Sequence, residues 1–311
     1  MKNMLEPVMY EGGVFKHNQI EELVEDLGGY ILQKNVMQTE VVLLMLVPMN
    51  DLNVVEEKAK KLLGKVTRAP LTGSEIATIA PTLAYHHLPH LDCDVAEFLR
   101  KKGAKTNMVG LARGVGKRIC QLTAYERDLI NEHDIAMFIL GNYEHCIIEK
   151  SKKLYEGIDI PIIVLGAPEL KTEDVPNATA YVGSFGRILH QMRHAEELKT
   201  LDKLAEVTGT VLDKVRVEIG KDPLAIAPVR IKKELEEQIP ELMDNLHPLP
   251  VTMQMTGVRV KLPYGEYHEL IENIEFVEGV KMKEVAKVLP SKMRDFILIK
   301  ALPKSVTGFV V

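Results

Sequence analysis

Five short apolar runs recur between residues 73 and 185, at Ile76–Ala80, Asn107–Ala112, Ile135–Leu140, Ile160–Leu165 and Ala180–Val182. The runs are continuous rather than alternating, and helical patterns lie between them. A strand that is apolar on both faces must be covered on both faces, which a parallel sheet flanked by helices achieves. The helix starts are legible: Asp92 before Val95, Phe98 and Leu99; Thr123 with Glu126 as a capping box; and Gly141-Asn142 opening a helix expected to run through Leu154. The pattern predicts a doubly wound, mostly parallel α/β domain over residues 73–188.

The flanking segments read differently. Residues 1–72 give the order β-α-β-β-α-β: a strand at Val8–Phe15, a helix opened by Asn18 and stopped by Gly28, apolar segments at Tyr30–Met37 and Glu40–Val47, a helix capped by Asp51 and ended by Gly64, and a strand at Lys65–Arg68. That order predicts a ferredoxin-like α+β domain, a fold name that implies no cluster. Residues 189–311 predict a long amphipathic helix near Ala195–Ile219, then a small α+β domain. Its strands are expected at Val251–Leu262, where polar and apolar residues alternate, and at Ile274–Val277, Val285–Val288 and Phe296–Lys300, with a helix near Glu266–Glu272. The chain as a whole is read as α/β, with α+β domains at both ends.

Composition limits the partners. At 311 residues, two or three domains are the prior. Lys plus Arg number 39 against 44 Asp plus Glu, a net charge of −5, so nothing supports an electrostatic nucleic-acid surface. The longest apolar run, Val41–Met49, is far short of the roughly 20 residues a membrane span needs. With no leader-like N-terminus, a cytoplasmic location is expected. Three cysteines and no Cys-x-x-Cys pair argue against a disulfide framework and against a zinc ribbon.

Cysteine placement is the most informative chemical feature. Cys93, Cys120 and Cys146 stand 27 and 26 residues apart, one β-α unit each, and each follows a strand. Loops at the carboxyl ends of parallel strands line the crevice where such sheets bind ligands. The first turn of a helix also suits a metal-binding thiolate. The stretch His86-His-Leu-Pro-His90-Leu-Asp-Cys93 adds three imidazoles, with His90 at a workable metal-ligand spacing from Cys93. The opposing reading is plain: free cysteines are often buried core residues, and loop histidines often bond only to carbonyls. Cys93 and Cys146 rank first as metal ligands, with His90 and Cys120 behind them. Three thiols cannot close a four-thiolate cluster, so an iron–sulfur centre here would need a histidine, an open iron or a partner's ligand.

The glycine-rich Gly110–Arg118 segment fails as a phosphate loop, because Leu111 stands where the first glycine belongs and Arg118 where Ser or Thr belongs. It fails as a dinucleotide fingerprint because position 119 is Ile. Cradling an anion through Arg113, Lys117 and Arg118 stays open. No nucleophile elbow or catalytic triad order is present, and independent catalytic activity is not expected.

Several long motifs carry a resemblance: Tyr10-Glu-Gly-Gly-Val, Leu23-Val-Glu-Asp-Leu-Gly-Gly29, Pro70-Leu-Thr-Gly-Ser-Glu-Ile76, His86-His-Leu-Pro-His90, Gly110–Arg118 and Arg259-Val-Lys-Leu-Pro-Tyr264. Together they resemble methanogenesis marker protein 7 over nearly the whole chain. Residues 75–170 are also similar to the shorter methyl-coenzyme M reductase operon protein C, through Cys93, Leu99-Arg100, Gly103, Thr106, Glu126, Ile130-Asn131, His133, Leu140-Gly-Asn142 and Ile160-Pro161. The resemblance implies a subunit of the ATP-dependent complex that reductively activates methyl-coenzyme M reductase. It implies a complex iron–sulfur cluster of the nitrogenase-cofactor-precursor kind, and electron relay rather than catalysis. Implied partners are methyl-coenzyme M reductase, operon protein C, other methanogenesis marker proteins and a separate ATPase subunit. Cys93 matches the shared cysteine. Cys146 stands where the shorter protein has a histidine, and Cys120 has no counterpart there. Two other readings remain: a cluster-free scaffold of the same complex, and an anion- or nucleotide-binding enzyme using Gly110–Arg118.

Overall fold

Alternating burial along the first strands, with the helices between them, decides the amino-terminal architecture. The computed structural model describes residues 5–80, 91–111, 122–150, 152–185, 193–242, 244, 247, 249–276 and 278–311. β1 (Leu5–Gly13), α1 (Asn18–Asp26), β2 (Tyr30–Val36), β3 (Glu40–Pro48), α2 (Leu52–Lys61) and β4 (Lys65–Arg68) follow in order. They form an antiparallel sheet of order β2-β3-β1-β4, the ferredoxin-like arrangement. Ile20, Val24, Val55 and Ala59 of the helices pack on Tyr10, Val41, Leu43 and Met45 of the sheet. Each large apolar side chain buried this way contributes about 1.5–3 kcal/mol.

The helix starts here differ from expectation. Asn18 is already helical, and His17 occupies the N-cap with αR backbone and no side-chain cap bond. A capping side chain needs extended backbone to reach forward, which this turn does not offer. Asp51 closes a 3-10 turn and likewise makes no cap bond. The stop is as expected: Gly28 has φ 77, and Gly29 N–H reaches back to the Val24 carbonyl at 2.8 Å.

The five apolar runs become β5 (Glu75–Ala80), β6 (Lys105–Gly110), β7 (Ile135–Ile139), β8 (Ile162–Leu165) and β9 (Ala180–Val182), with α3 (Leu91–Lys101) and α4 (Ala124–Asn131) between the early ones. All neighbours are parallel, in the order β6-β5-β7-β8-β9. Thr123 and Glu126 make the expected capping box. Asp92 does not cap α3; it is the second helical residue and is buried. The helix expected from Asn142 to Leu154 is replaced by a π-turn at Cys146–Lys150 and a 3-10 turn at Lys152–Leu154. The two turns let Ile147 and Leu154 both reach the core under β7 and β8.

The carboxyl-terminal part begins with α5 (Arg193–Lys221) and α6 (Pro228–Gln238), the latter with proline in its first turn. β10 (Val251–Gln254), β11 (Gly257–Val260), α7 (Tyr264–Glu272), α8 (Met282–Val285), β12 (Ala286–Pro290), β13 (Ile297–Ala301) and α9 (Lys304–Thr307) follow. The sheet order is β10-β11-β13-β12, antiparallel throughout. The single strand expected over Val251–Leu262 is a hairpin whose β11 is buried along its whole length. Among the described residues of Ile274–Val277, a single bridge, Glu275 to Lys281, stands in place of the expected strand. The chain divides into two compact units, Met1–Gly73 with Lys102–Ala104, and Ser74–Lys101 with Lys105–Val311. The parallel sheet and the carboxyl-terminal sheet belong to the second unit. No helix among the described residues is long and apolar enough to cross a membrane.

Candidate functional site at the carboxyl edge of the parallel sheet

Numbered within the domain, the parallel strands run 2-1-3-4-5, so the direction of chain progression reverses between β5 and β7. At such a reversal the loops leaving the two strands diverge to opposite faces, and a crevice opens outside their carboxyl ends. The chain leaving β5 enters α3, whose third residue is Cys93, and the chain leaving β7 enters the turn that carries Cys146. Both cysteines are free thiols; Cys93 is exposed and Cys146 half-buried.

Cys146 is held by its surroundings. Its backbone N–H donates to the Tyr143 carbonyl at 2.9 Å, and Ile147 N–H shares that carbonyl at 3.2 Å. Ile147 points into the core, where Gly166 leaves room for it: a Cβ at Gly166 would stand 2.5 Å from Ile147 Cδ1. The Tyr155 hydroxyl donates to the Ile147 carbonyl at 3.3 Å, satisfying an oxygen of the widened turn. Ile147 is anchored inward, and its neighbour Cys146 is half-buried.

The loops after β7, β8 and β9 are tied to one another. Ala167 N–H donates to the Gly141 carbonyl at 3.4 Å, Gly166 N–H to Val182 at 3.2 Å, and Phe185 N–H to Gly166 at 2.9 Å. The Tyr181 hydroxyl donates to the Pro168 carbonyl at 2.6 Å, and the Ser184 hydroxyl to Glu169 at 2.5 Å. Burial, with Glu169 and Glu144 adding to it, pushes the Tyr181 phenol up to about 12, so it stays a donor. These bonds make this half of the edge a fixed platform, with Asn142, Tyr143, Glu144 and His145 exposed upon it.

Of the residues the sequence singled out, Cys93 and Cys146 follow adjacent, directly paired strands on the same edge of the sheet. His90, Cys120, His86, His87 and residues 112–118 of the glycine-rich segment lie outside the described residues. Among the described residues, no three His, Cys, Asp or Glu side chains gather into a metal-binding group. Two thiols on exposed or half-exposed turns suit a thiophilic metal in donor chemistry, and would supply two of its ligands.

Sequence reasoning passed over a second cluster, at the opposite edge of the sheet. Glu75 opens β5 and Asp134 precedes β7. Arg259 of β11 donates through Nε to both Glu75 oxygens at 3.0 Å, and through Nη1 to Glu132 at 2.6 Å and Ser291 at 2.6 Å. Gln254 also donates to Glu75, and Asn107 donates to it at 2.6 Å. Burial works against the Glu75 charge, yet His133, Arg259 and the hydrogen bonds from Gln254 and Arg259 hold its carboxyl below the usual range. Burial, opposed chiefly by Glu75, lowers the His133 imidazole below its ordinary range; its Nδ1 bonds the Leu129 carbonyl at 3.0 Å and its Nε2 meets the Asn107 side-chain nitrogen at 3.0 Å. Asp134 accepts from Glu75 N–H at 2.8 Å and Met255 N–H at 3.0 Å. This network joins the parallel sheet to the carboxyl-terminal sheet and lies at the strand ends away from both cysteines. The available signal was the pairing of Glu75 and Arg259 as members of two separate long motifs.

Comparison with known proteins agrees with the resemblance and widens part of it. A family model described as methyl-coenzyme M reductase operon protein C matches residues 5–274. The match therefore extends well past residues 75–170, into both flanking parts. An uncharacterized protein of Methanocaldococcus jannaschii is 44% identical over 306 residues, covering 98% of this chain and 96% of the relative. Among solved structures, phospho-2-dehydro-3-deoxyheptonate aldolase of Thermotoga maritima matches at 13% identity over 55% of this chain and 64% of its own, with a TM-score of 0.17. Glutamyl-tRNA reductase of Methanopyrus kandleri matches at 9% identity over 78% of this chain and 86% of its own, with a TM-score of 0.21. Scores that low carry no argument. The near-complete family match, with a full-length relative from a methanogen, decides the matter: the chain belongs to the methyl-coenzyme M reductase operon protein C family.

Proposed function

We propose that this protein is a cluster-holding subunit of the ATP-dependent complex that reductively activates methyl-coenzyme M reductase. One observation carries the reading. Cys93 and Cys146 follow the two adjacent strands that flank the reversal point of a doubly wound sheet, where this architecture binds ligands. Cys93 and Cys146 would hold the iron–sulfur group, with His90 and Cys120 as further candidates. When bound, that group supplies electrons at low potential. The chain's own part is to present two thiols from fixed turns and to dock the remaining subunits. ATP hydrolysis would belong to a separate subunit, since neither phosphate-loop signature is intact.

Anaerobic co-purification of wild type, Cys93→Ala and Cys146→Ala with their partners, followed by iron and sulfide quantification, tests the reading. Loss of iron in both variants with assembly intact is the expected result. Normal iron and full reductase activation in both variants would overturn it and leave the cluster-free scaffold.

A further inference from the structure

Ile147 meets the end of β8 where a side chain is missing. A Cβ at Gly166 would lie 2.5 Å from Ile147 Cδ1 and 2.7 Å from the Tyr181 hydroxyl oxygen. Gly166 stands outside the left-handed region, so torsion does not demand a glycine here. Space demands it. The strand end cannot retreat: Gly166 N–H donates to the Val182 carbonyl at 3.2 Å, and the Gly166 carbonyl accepts from Phe185 N–H at 2.9 Å. Ile147 has no exposed surface to turn into, and its branched Cβ restricts χ1. A carbon added at Gly166 is therefore relieved chiefly by moving the Ile147 backbone.

That movement reaches Cys146 directly. The two residues share a peptide unit, and both donate their N–H groups to the Tyr143 carbonyl, at 2.9 Å from Cys146 and 3.2 Å from Ile147. The turn they open, Cys146–Lys150, is a π-turn, a rare form that recurs at functional sites.

We propose that Gly166 is a positioning residue for Cys146. Its missing side chain seats Ile147, and the seated Ile147 fixes the backbone from which the thiol is presented. The inference deepens the cluster reading and rests on it for its consequence, since a ligand works only when held within about 0.5 Å of its productive place.

The test moves one methyl group across the contact. Gly166→Ala adds a carbon, and Ile147→Val removes Cδ1, the atom that this carbon would meet first. The cycle is run on the full chain in a Tyr181→Phe background, which removes the second crowding atom and keeps the ring. Cys93→Ser and Cys120→Ser leave Cys146 as the sole thiol. Its alkylation by iodoacetamide at one fixed pH should quicken about tenfold in Gly166→Ala and about twofold in Ile147→Val, because overfilling and underfilling both unseat the turn. The double variant should return to within about twofold of the background. A matched set with Cys93 as the sole thiol reports general loosening and should not change.

An unchanged Cys146 rate in Gly166→Ala, equal acceleration of Cys93, or simple additivity in the double variant would each overturn the proposal. Ile147→Val adds no bulk, so where Gly166→Ala does not fold, an unchanged Cys146 rate in Ile147→Val overturns it instead. Iron in the co-purified complex separates the two claims. Normal iron in Cys146→Ala, with the thiol cycle as expected, sinks the cluster reading and leaves the positioning role. Iron lost in Cys146→Ala but kept in full by Gly166→Ala overturns the positioning role alone.

Discussion

Arg259 and Glu75 are both 1% exposed and share two hydrogen bonds of 3.0 Å through Arg259 Nε. Neither charge touches water, so each depends on the other. The surrounding donors, Gln254 and Asn107 on Glu75, and the acceptors, Glu132 and Ser291 on Arg259, complete the set. The pair fixes the amino edge of the parallel sheet to the carboxyl-terminal sheet.

Breaking one side of this pair should be severe. Arg259→Met leaves Glu75 buried without its counter-charge, a loss of about 3–5 kcal/mol. Adding Glu75→Gln removes the stranded charge and should restore a large part of that stability. Urea unfolding of the two single variants and the double variant measures the coupling; simple additivity would show that the pair does not act as a unit.

Much of the fold was legible because it rests on local period. The five continuous runs became five parallel strands, and β-α-β-β-α-β became the ferredoxin-like sheet. The amino-edge network was not legible for a physical reason. Alternation along Val251–Leu262 distinguishes two faces but does not say which one is wet. Gln254 and Arg259 are polar members of that alternation, yet the parallel sheet covers them, and Glu75 lies 184 residues from Arg259 in the chain. Strand counting put Cys93 and Cys146 after β5 and β7, where they stand, while Cys120 lies outside the described residues; the π-turn at Cys146 has no sequence period to announce it.

Asp134 should give the protein an unusual pH response. Burial, opposed chiefly by Lys300, raises its carboxyl to about 6 from an ordinary 3.8. The folded state therefore holds this proton after the unfolded chain has released it, and stability falls as pH rises from about 4 to 6. Glu75 works the other way: its lowered carboxyl contributes stability that is lost as pH falls through the acid range. Between pH 7 and pH 5 the Asp134 effect should dominate, giving wild type about 1 kcal/mol relative to Asp134→Asn. Urea midpoints of the two proteins at both pH values are the measurement. Parallel pH profiles would show that Asp134 keeps an ordinary carboxyl.

Gly257 opens β11, where a Cβ would lie 1.9 Å from the Ile299 carbonyl oxygen on β13. That neighbour is backbone in the centre of the sheet and cannot swing aside. Gly257→Ala should therefore cost about 3 kcal/mol by forcing β11 and β13 apart. Faster amide exchange confined to the carboxyl-terminal sheet would accompany it, and an unchanged melting temperature would refute the argument.

The two candidate ligand cysteines should behave differently as thiols and alike as ligands. Cys93 is exposed in the first turn of α3, while Cys146 is half-buried in a turn tied to Tyr143 and Tyr155. In a Cys120→Ser background, an aromatic disulfide reagent should modify Cys93 about tenfold faster, because access limits the rate when the fold is intact. Cys93→Ser should cost less than about 0.5 kcal/mol, since an exposed side chain gives up little packing. Any iron lost by that variant is then a lost ligand rather than a lost fold. Iron bound through both sulfurs should protect both thiols together during anaerobic reconstitution, removing the difference in rate. Protection of Cys93 alone, with Cys146 reacting as it does in the iron-free protein, would exclude a group shared between them.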